Sequence, residues 1–79
     1  MERKIKLIWD FRGPDAQTTA QHHEIHLREY IDAQALPLKL TGTDPLGDAH
    51  TTAWMVVEEK FMIPVRDALR PHRGEVFQD

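Results

Sequence analysis

Apolar residues recur at every second position through Ile5, Leu7, Trp9 and Phe11, with Lys4, Lys6 and Asp10 between them. Because successive side chains of a strand point to opposite faces, this alternation predicts a half-buried strand over residues 3–11. Ile8 interrupts the polar side: either the strand is partly covered on both faces, as by a second sheet packed face to face, or Ile8 is an exposed apolar residue. Gly13-Pro14 ends the strand and opens a helix predicted over 14–34. Proline at the first helical position loses no needed N–H, and Asp15 meets the positive end of the helix dipole. Steps of about 100° per residue place Ala16, Ala20, His23, Leu27, Tyr30 and Ile31 on one stripe, expected to pack on the sheet. Gln21, Ile25 and Arg28 point away from it, while His22 and His26 share its edge one turn apart.

Pro37 closes the helix. Leu38, Leu40 and Thr41 predict a second strand running into Gly42-Thr43-Asp44-Pro45-Leu46-Gly47-Asp48. That segment is read as turn: Asp-Pro initiates turns, and Gly47-Asp48 supplies positive φ or local side-chain hydrogen bonds. Residues 51–58, with Thr52, Trp54, Met55, Val56 and Val57, form the most β-prone run and predict a buried third strand in a hairpin with the second. Pro64 suits the first turn of a helix, so a second helix is predicted from near Ile63 through Val65, Ala68 and Leu69 to Arg70, closed by Pro71 and Gly74. Residues 75–78 alternate weakly and read as a short edge strand or an arm that docks on a partner. The order β-α-β-β-α-(β) is the split βαβ pattern, an α+β, ferredoxin-like antiparallel sheet with two helices on one face.

No repeat or linker divides residues 1–79, so one domain is expected. A chain this short buries only about 60% of its unfolded surface and needs reinforcement. With no cysteine, disulfides and thiolate metal sites are excluded, leaving self-association or a histidine/carboxylate site. The expectation is a homodimer through the sheet, whose face away from the helices looks too apolar for water. A net charge of −3, from 10 basic and 13 acidic residues without blocks, disfavours nucleic acid and anionic membrane as partners. No apolar run approaches the roughly 20 residues of a membrane span, and no signal-type apolar segment is visible, so a cytoplasmic location is expected. Without serine or cysteine there is no such nucleophile. Gly42, Gly47 and Gly74 are spaced as turn residues rather than as a phosphate loop, and no cofactor is expected.

Three of the five histidines crowd into His22-His23-Glu24-Ile25-His26. His22 and His26 have the helical spacing that lets two imidazoles reach one metal, with Asp44, Asp48 or His50 as a further ligand; the plainer alternative is a polar helix edge. His23, inside the apolar stripe, is either a hydrogen-bonded neutral core residue or a ring facing a cleft. His26 with Asp44 or Asp48 is the general acid/base candidate, since a carboxylate on one ring nitrogen holds the tautomer. The same acids also suit turns. Arg12 and Arg28 are candidate anion anchors. Trp54, like Trp9, Phe11 and Tyr30, is a core residue or, facing a cavity, a wall for a small apolar ligand.

The opening strand, His26-Leu27 in the first helix, Gly42 followed by Pro45-Leu46, the run around Val56-Val57, and Pro71 with Gly74 together resemble the YCII-related proteins of the dimeric α+β barrel superfamily. The resemblance spans nearly the whole chain and is one of layout. Here Thr43 and Asp44 interrupt the family's glycine-proline-leucine, and Arg70 precedes Pro71 where an acid is common. The resemblance implies a ferredoxin-like fold, dimerisation through the sheets, and a His–Asp active pair that falls on His26 and Asp44, with Asp48 as substitute. The function expected is proton transfer on a small carbonyl-bearing or aromatic substrate, or small-ligand binding, in a cleft beside the first helix. The alternatives are a non-catalytic protein-interaction module and a metal-binding protein using His22 and His26.

Overall fold

In the computed structural model, which describes residues 3–78, the alternating segment forms β1 (Lys4–Arg12), followed by α1 (Ala16–Ala33), β2 (Thr41–Gly47), β3 (His50–Glu58), α2 (Glu59–Leu69) and β4 (Arg73–Phe77). The strands make one antiparallel sheet in the order β2-β3-β1-β4, the α+β arrangement of a ferredoxin-like fold. The register sets Ile5, Leu7, Trp9 and Phe11 opposite Val57, Met55, Ala53 and Thr51. The apolar side chains of this face pack with Ala20, Leu27 and Ile31 of α1 and Val65 of α2. Each fully buried Leu or Ile contributes about 1.5–3 kcal/mol, so the helix stripe suffices to seat α1 on the sheet. Of that stripe, Ala16, Ala20, Leu27 and Ile31 are buried, and His23 and Tyr30 half-buried.

Three expectations are corrected. Residues 42–47 are strand, not turn, and Leu38–Leu40 lie before the second strand rather than in it, because pairing with the β-prone β3 overrides the local Asp44-Pro45 signal. Pro45 is tolerated because β2 lies at the sheet edge, and the ladder shifts register between Pro45 and Gly47. The turn shrinks to Asp48-Ala49, and Gly47 does not supply positive φ, which occurs instead at Gly13 (110°), Ala35 (51°) and Arg70 (51°). The second helix starts four residues before Ile63 and contains Pro64. The Glu59 N–H donates to the Arg3 carbonyl at 2.8 Å, and the Arg3 guanidinium pairs with the Glu59 carboxylate, which ties the helix start to the head of β1. Phe61 and Met62 thereby reach the core. Third, the fourth strand begins at Arg73, two residues earlier than expected, so its pairing takes in Arg73 and Gly74.

The face away from the helices is not the wet apolar surface expected. Ile8 and Val56 are only 4% and 0% exposed within a single protomer. On this face Ile8 lies between Trp54 of β3 and Arg73 of β4. The indole of Trp54 lies across Gly42, where a Cβ would stand 2.5 Å from Cζ2, and the Lys6 ammonium sits 4.7 Å above its ring. Long amphipathic side chains cover the apolar ones, so self-association does not follow from this surface.

Candidate functional site

Strand alternation sends Asp10 to the same open face as Ile8, and antiparallel pairing brings in neighbours from two other strands. His50, the first residue of β3, places Nε2 2.8 Å from Asp10 Oδ1. Arg73, the first residue of β4, donates from Nε to Oδ2 at 3.0 Å and from Nη2 to Oδ1 at 3.1 Å. The Asp10 backbone N–H donates to His72 Nδ1 at 2.8 Å, and the His72 N–H donates to the Ile8 carbonyl at 2.9 Å. His72 thus extends the β4 side of the ladder, with a ring nitrogen in place of a carbonyl.

The side chains of Asp10 and His50 are 16% and 22% exposed. The Arg73 guanidinium first, and His50 second, hold the Asp10 carboxyl down at about 2, so it stays ionised in the fold. Asp10 reciprocally raises Arg73 above its ordinary value. A carboxylate only accepts, so His50 Nε2 carries the proton and Nδ1 is its basic nitrogen when the ring is neutral. A backbone N–H only donates, so His72 accepts at Nδ1 and carries its proton on Nε2. The result is an imidazole oriented by a carboxylate that is itself clamped by arginine, a geometry of the kind general acid/base chemistry uses.

The sequence candidates are dispersed. The His26 side chain is 74% exposed on α1 and its Nδ1 lies 3.2 Å from Glu29. Asp44 pairs in register with Thr52, which puts it on the open face, and its Oδ2 lies 3.7 Å from Lys6 Nζ. The sheet therefore separates His26 from Asp44, and Asp48 is exposed in the hairpin turn. Among the described residues, no hydrogen bond or ion pair joins His26 to either acid. Arg28 Nη2 lies 3.6 Å from Glu24, which also accepts a 2.9 Å hydrogen bond from Thr41 Oγ1 and so links α1 to β2. Arg12 is exposed opposite His50 across the ladder, close to the Asp10 network.

His23 faces inward, with its ring 4.8 Å from that of Trp9 and 5.4 Å from that of Phe11. Burial lowers its pKa, so the neutral form is favoured, and its Nε2 is buried without a partner among the described residues. Trp54 Nε1 is likewise buried and unpartnered. Among the described residues no group of three or more histidines and carboxylates is placed to hold a metal; His22 is exposed and His26 is engaged with Glu29. No helix among them is long and apolar enough to cross a membrane.

Sequence reasoning missed Asp10, His72 and Arg73, and treated His50 only as a spare metal ligand. Charged and polar residues in or beside three strands were the available signal, but only the registers β1–β3 and β1–β4 bring them to one spot. No protein-family model, no curated protein and no solved structure matches this chain.

Proposed function

We propose that the protein binds a small carbonyl-bearing molecule at the Asp10 end of the open sheet face and transfers a proton on it. His50 is the acid/base, Asp10 its orienting carboxylate, and Arg12 the anchor for an anionic group. The observation that carries this reading is the 2.8 Å hydrogen bond between His50 Nε2 and an Asp10 carboxylate already held by Arg73. His50 Nδ1 takes a proton from the carbon next to the carbonyl, Asp10 stabilises the resulting imidazolium, and the proton returns to the substrate oxygen or to carbon. Groups of this kind contribute about 10²–10⁴-fold to rate.

The test follows deuterium wash-in from heavy water to the methylene of phenylpyruvate by NMR. The wild-type protein is expected to accelerate exchange, and His50→Ala and Asp10→Asn to lose most of that acceleration while keeping their circular dichroism. Exchange no faster than in buffer, or equal in all three proteins, rejects the reading.

A second reading, an interaction module that self-associates through its sheet, draws on the short chain and on exposed Leu40 and Leu46 along the β2 side. It would also suit the layout resembling YCII-related proteins, for which a cytoplasmic setting is part of the proposal. Sedimentation that returns a 9.2 kDa particle at every concentration rejects it.

A further inference from the structure

The helix layer does not cover the whole sheet. α2 packs over β1 and β3, and on β4 Val76, which faces the helix side opposite Ile5, is left 48% exposed. Between α2 and β4 lies a cleft of about 400 Å³, floored by Ile5 and Leu7 and walled by Met62 and Val76. That volume is at the small end of ligand sites, which run about 300–1,000 Å³.

Gly74 keeps the cleft open. It pairs with Leu7, so a side chain there would stand on the helix side. Its backbone has no positive φ, and an added Cβ would meet nothing closer than Leu7 Cδ2 at 3.4 Å, an ordinary contact. Neither conformation nor crowding therefore demands glycine, and what a larger residue would change is the room in the cleft.

One end of the cleft is cationic. Arg66 lines it and also lines an adjoining recess of about 340 Å³ with Asp67 and Arg70. The Arg66 guanidinium is half-exposed and touches Asp67 only through Nε at 3.4 Å. His72, also at the rim, offers an Nε2–H donor because Asp10 occupies its Nδ1. Arg73 lines the cleft but its guanidinium is taken by Asp10, and Glu75 is paired in register with Lys6 on the other face. The negative end of the α2 dipole lies at this same end, so an anion here must be held by side chains rather than by backbone.

We infer that this cleft binds an amphipathic carboxylate, with its apolar chain over Leu7 and Gly74 and its carboxylate on Arg66 and His72. An apolar trough ending in a half-exposed guanidinium that meets Asp67 only through Nε matches that chemistry. The cleft lies on the helix face and adjoins the acid/base pair through His72, whose Nδ1 accepts from the Asp10 backbone, but the proposal does not rest on that pair's activity.

The experiment titrates 15N-labelled protein with decanoate below its micelle concentration, and in parallel with decanol and acetate. Decanoate is expected to shift the amides of Met62, Gly74 and Val76 with a Kd below 1 mM, and both controls to bind at least tenfold more weakly. Arg66→Gln and Gly74→Val are each expected to weaken decanoate at least tenfold. Arg66 is exposed, so its variant decides the question should the glycine variant misfold. Absence of shifts at 1 mM decanoate, decanol binding as well as decanoate, or full affinity in Arg66→Gln overturns the assignment.

Discussion

Arg73 grips Asp10 through both carboxylate oxygens, at 3.0 and 3.1 Å, from the neighbouring strand. Bidentate pairing of this kind is directional as well as strong, so it fixes the carboxylate plane that His50 then meets. The same contact joins β4 to β1 beyond their backbone ladder.

The Asp10 clamp makes stability depend on acid. The carboxyl titrates near 3.9 when unfolded and at about 2 in the fold, so its contribution is complete above about pH 4 and is lost as pH falls toward 2. Urea midpoints of wild-type protein and Asp10→Asn are expected to differ by a constant amount above pH 4 and to converge between pH 4 and 2. A gap that widens on acidification contradicts the assignment.

His23 works in the opposite chemical sense but over its own window. Burial depresses its folded pKa below the unfolded value near 6.5, so the unfolded chain takes up the proton first and stability falls as pH drops below about 6.5. His23→Leu keeps an apolar surface against Trp9 and Phe11 and removes that proton uptake. Its stability relative to wild type is expected to rise between pH 7 and pH 5; a pH-independent difference refutes the account.

The end of α1 is built as a Schellman turn, with the Leu36 N–H on the Ile31 carbonyl at 3.0 Å and the Ala35 N–H on that of Asp32 at 3.2 Å. Ala35 occupies the left-handed position at φ 51°, where a Cβ is unfavourable. Ala35→Gly is expected to stabilise by up to about 1 kcal/mol, with part of the strain relief offset by a more flexible unfolded chain, as read from the urea midpoint.

At Gly42 the sign reverses. A Cβ would stand 2.5 and 2.8 Å from the Cζ2 and Cε2 atoms of Trp54, so the indole must leave its place over the strand. Gly42→Ala is expected to cost about 1–3 kcal/mol and to red-shift tryptophan emission. Unchanged emission and stability would show that the ring does not depend on this gap.

The elements were legible where their signals are local. Alternation from Ile5 to Phe11 and the Ala20, Leu27, Ile31 stripe each describe a single element against an apolar neighbour, and both lie where expected. Asp44-Pro45 misled because its turn preference is weaker than pairing with β3, and Pro64 misled because an anchor at Arg3, remote in sequence, lets α2 begin at Glu59. Ile8 was noticed correctly as an anomaly, and within a single protomer it is already only 4% exposed, flanked in register by Trp54 and Arg73 on the adjacent strands.

Side-chain periodicity in the sequence by itself determined an antiparallel α+β arrangement and the buried face of α1, since each depends on residues within a few positions of one another, and composition alone set the lack of cysteine and serine. The meeting of Asp10, His50, His72 and Arg73, the separation of His26 from Asp44 by the sheet, and the gap between α2 and β4 were decided only by tertiary structure. These depend on strand order and register, set when the whole apolar core packs at once, and a shift of one residue would send every one of those side chains to the other face.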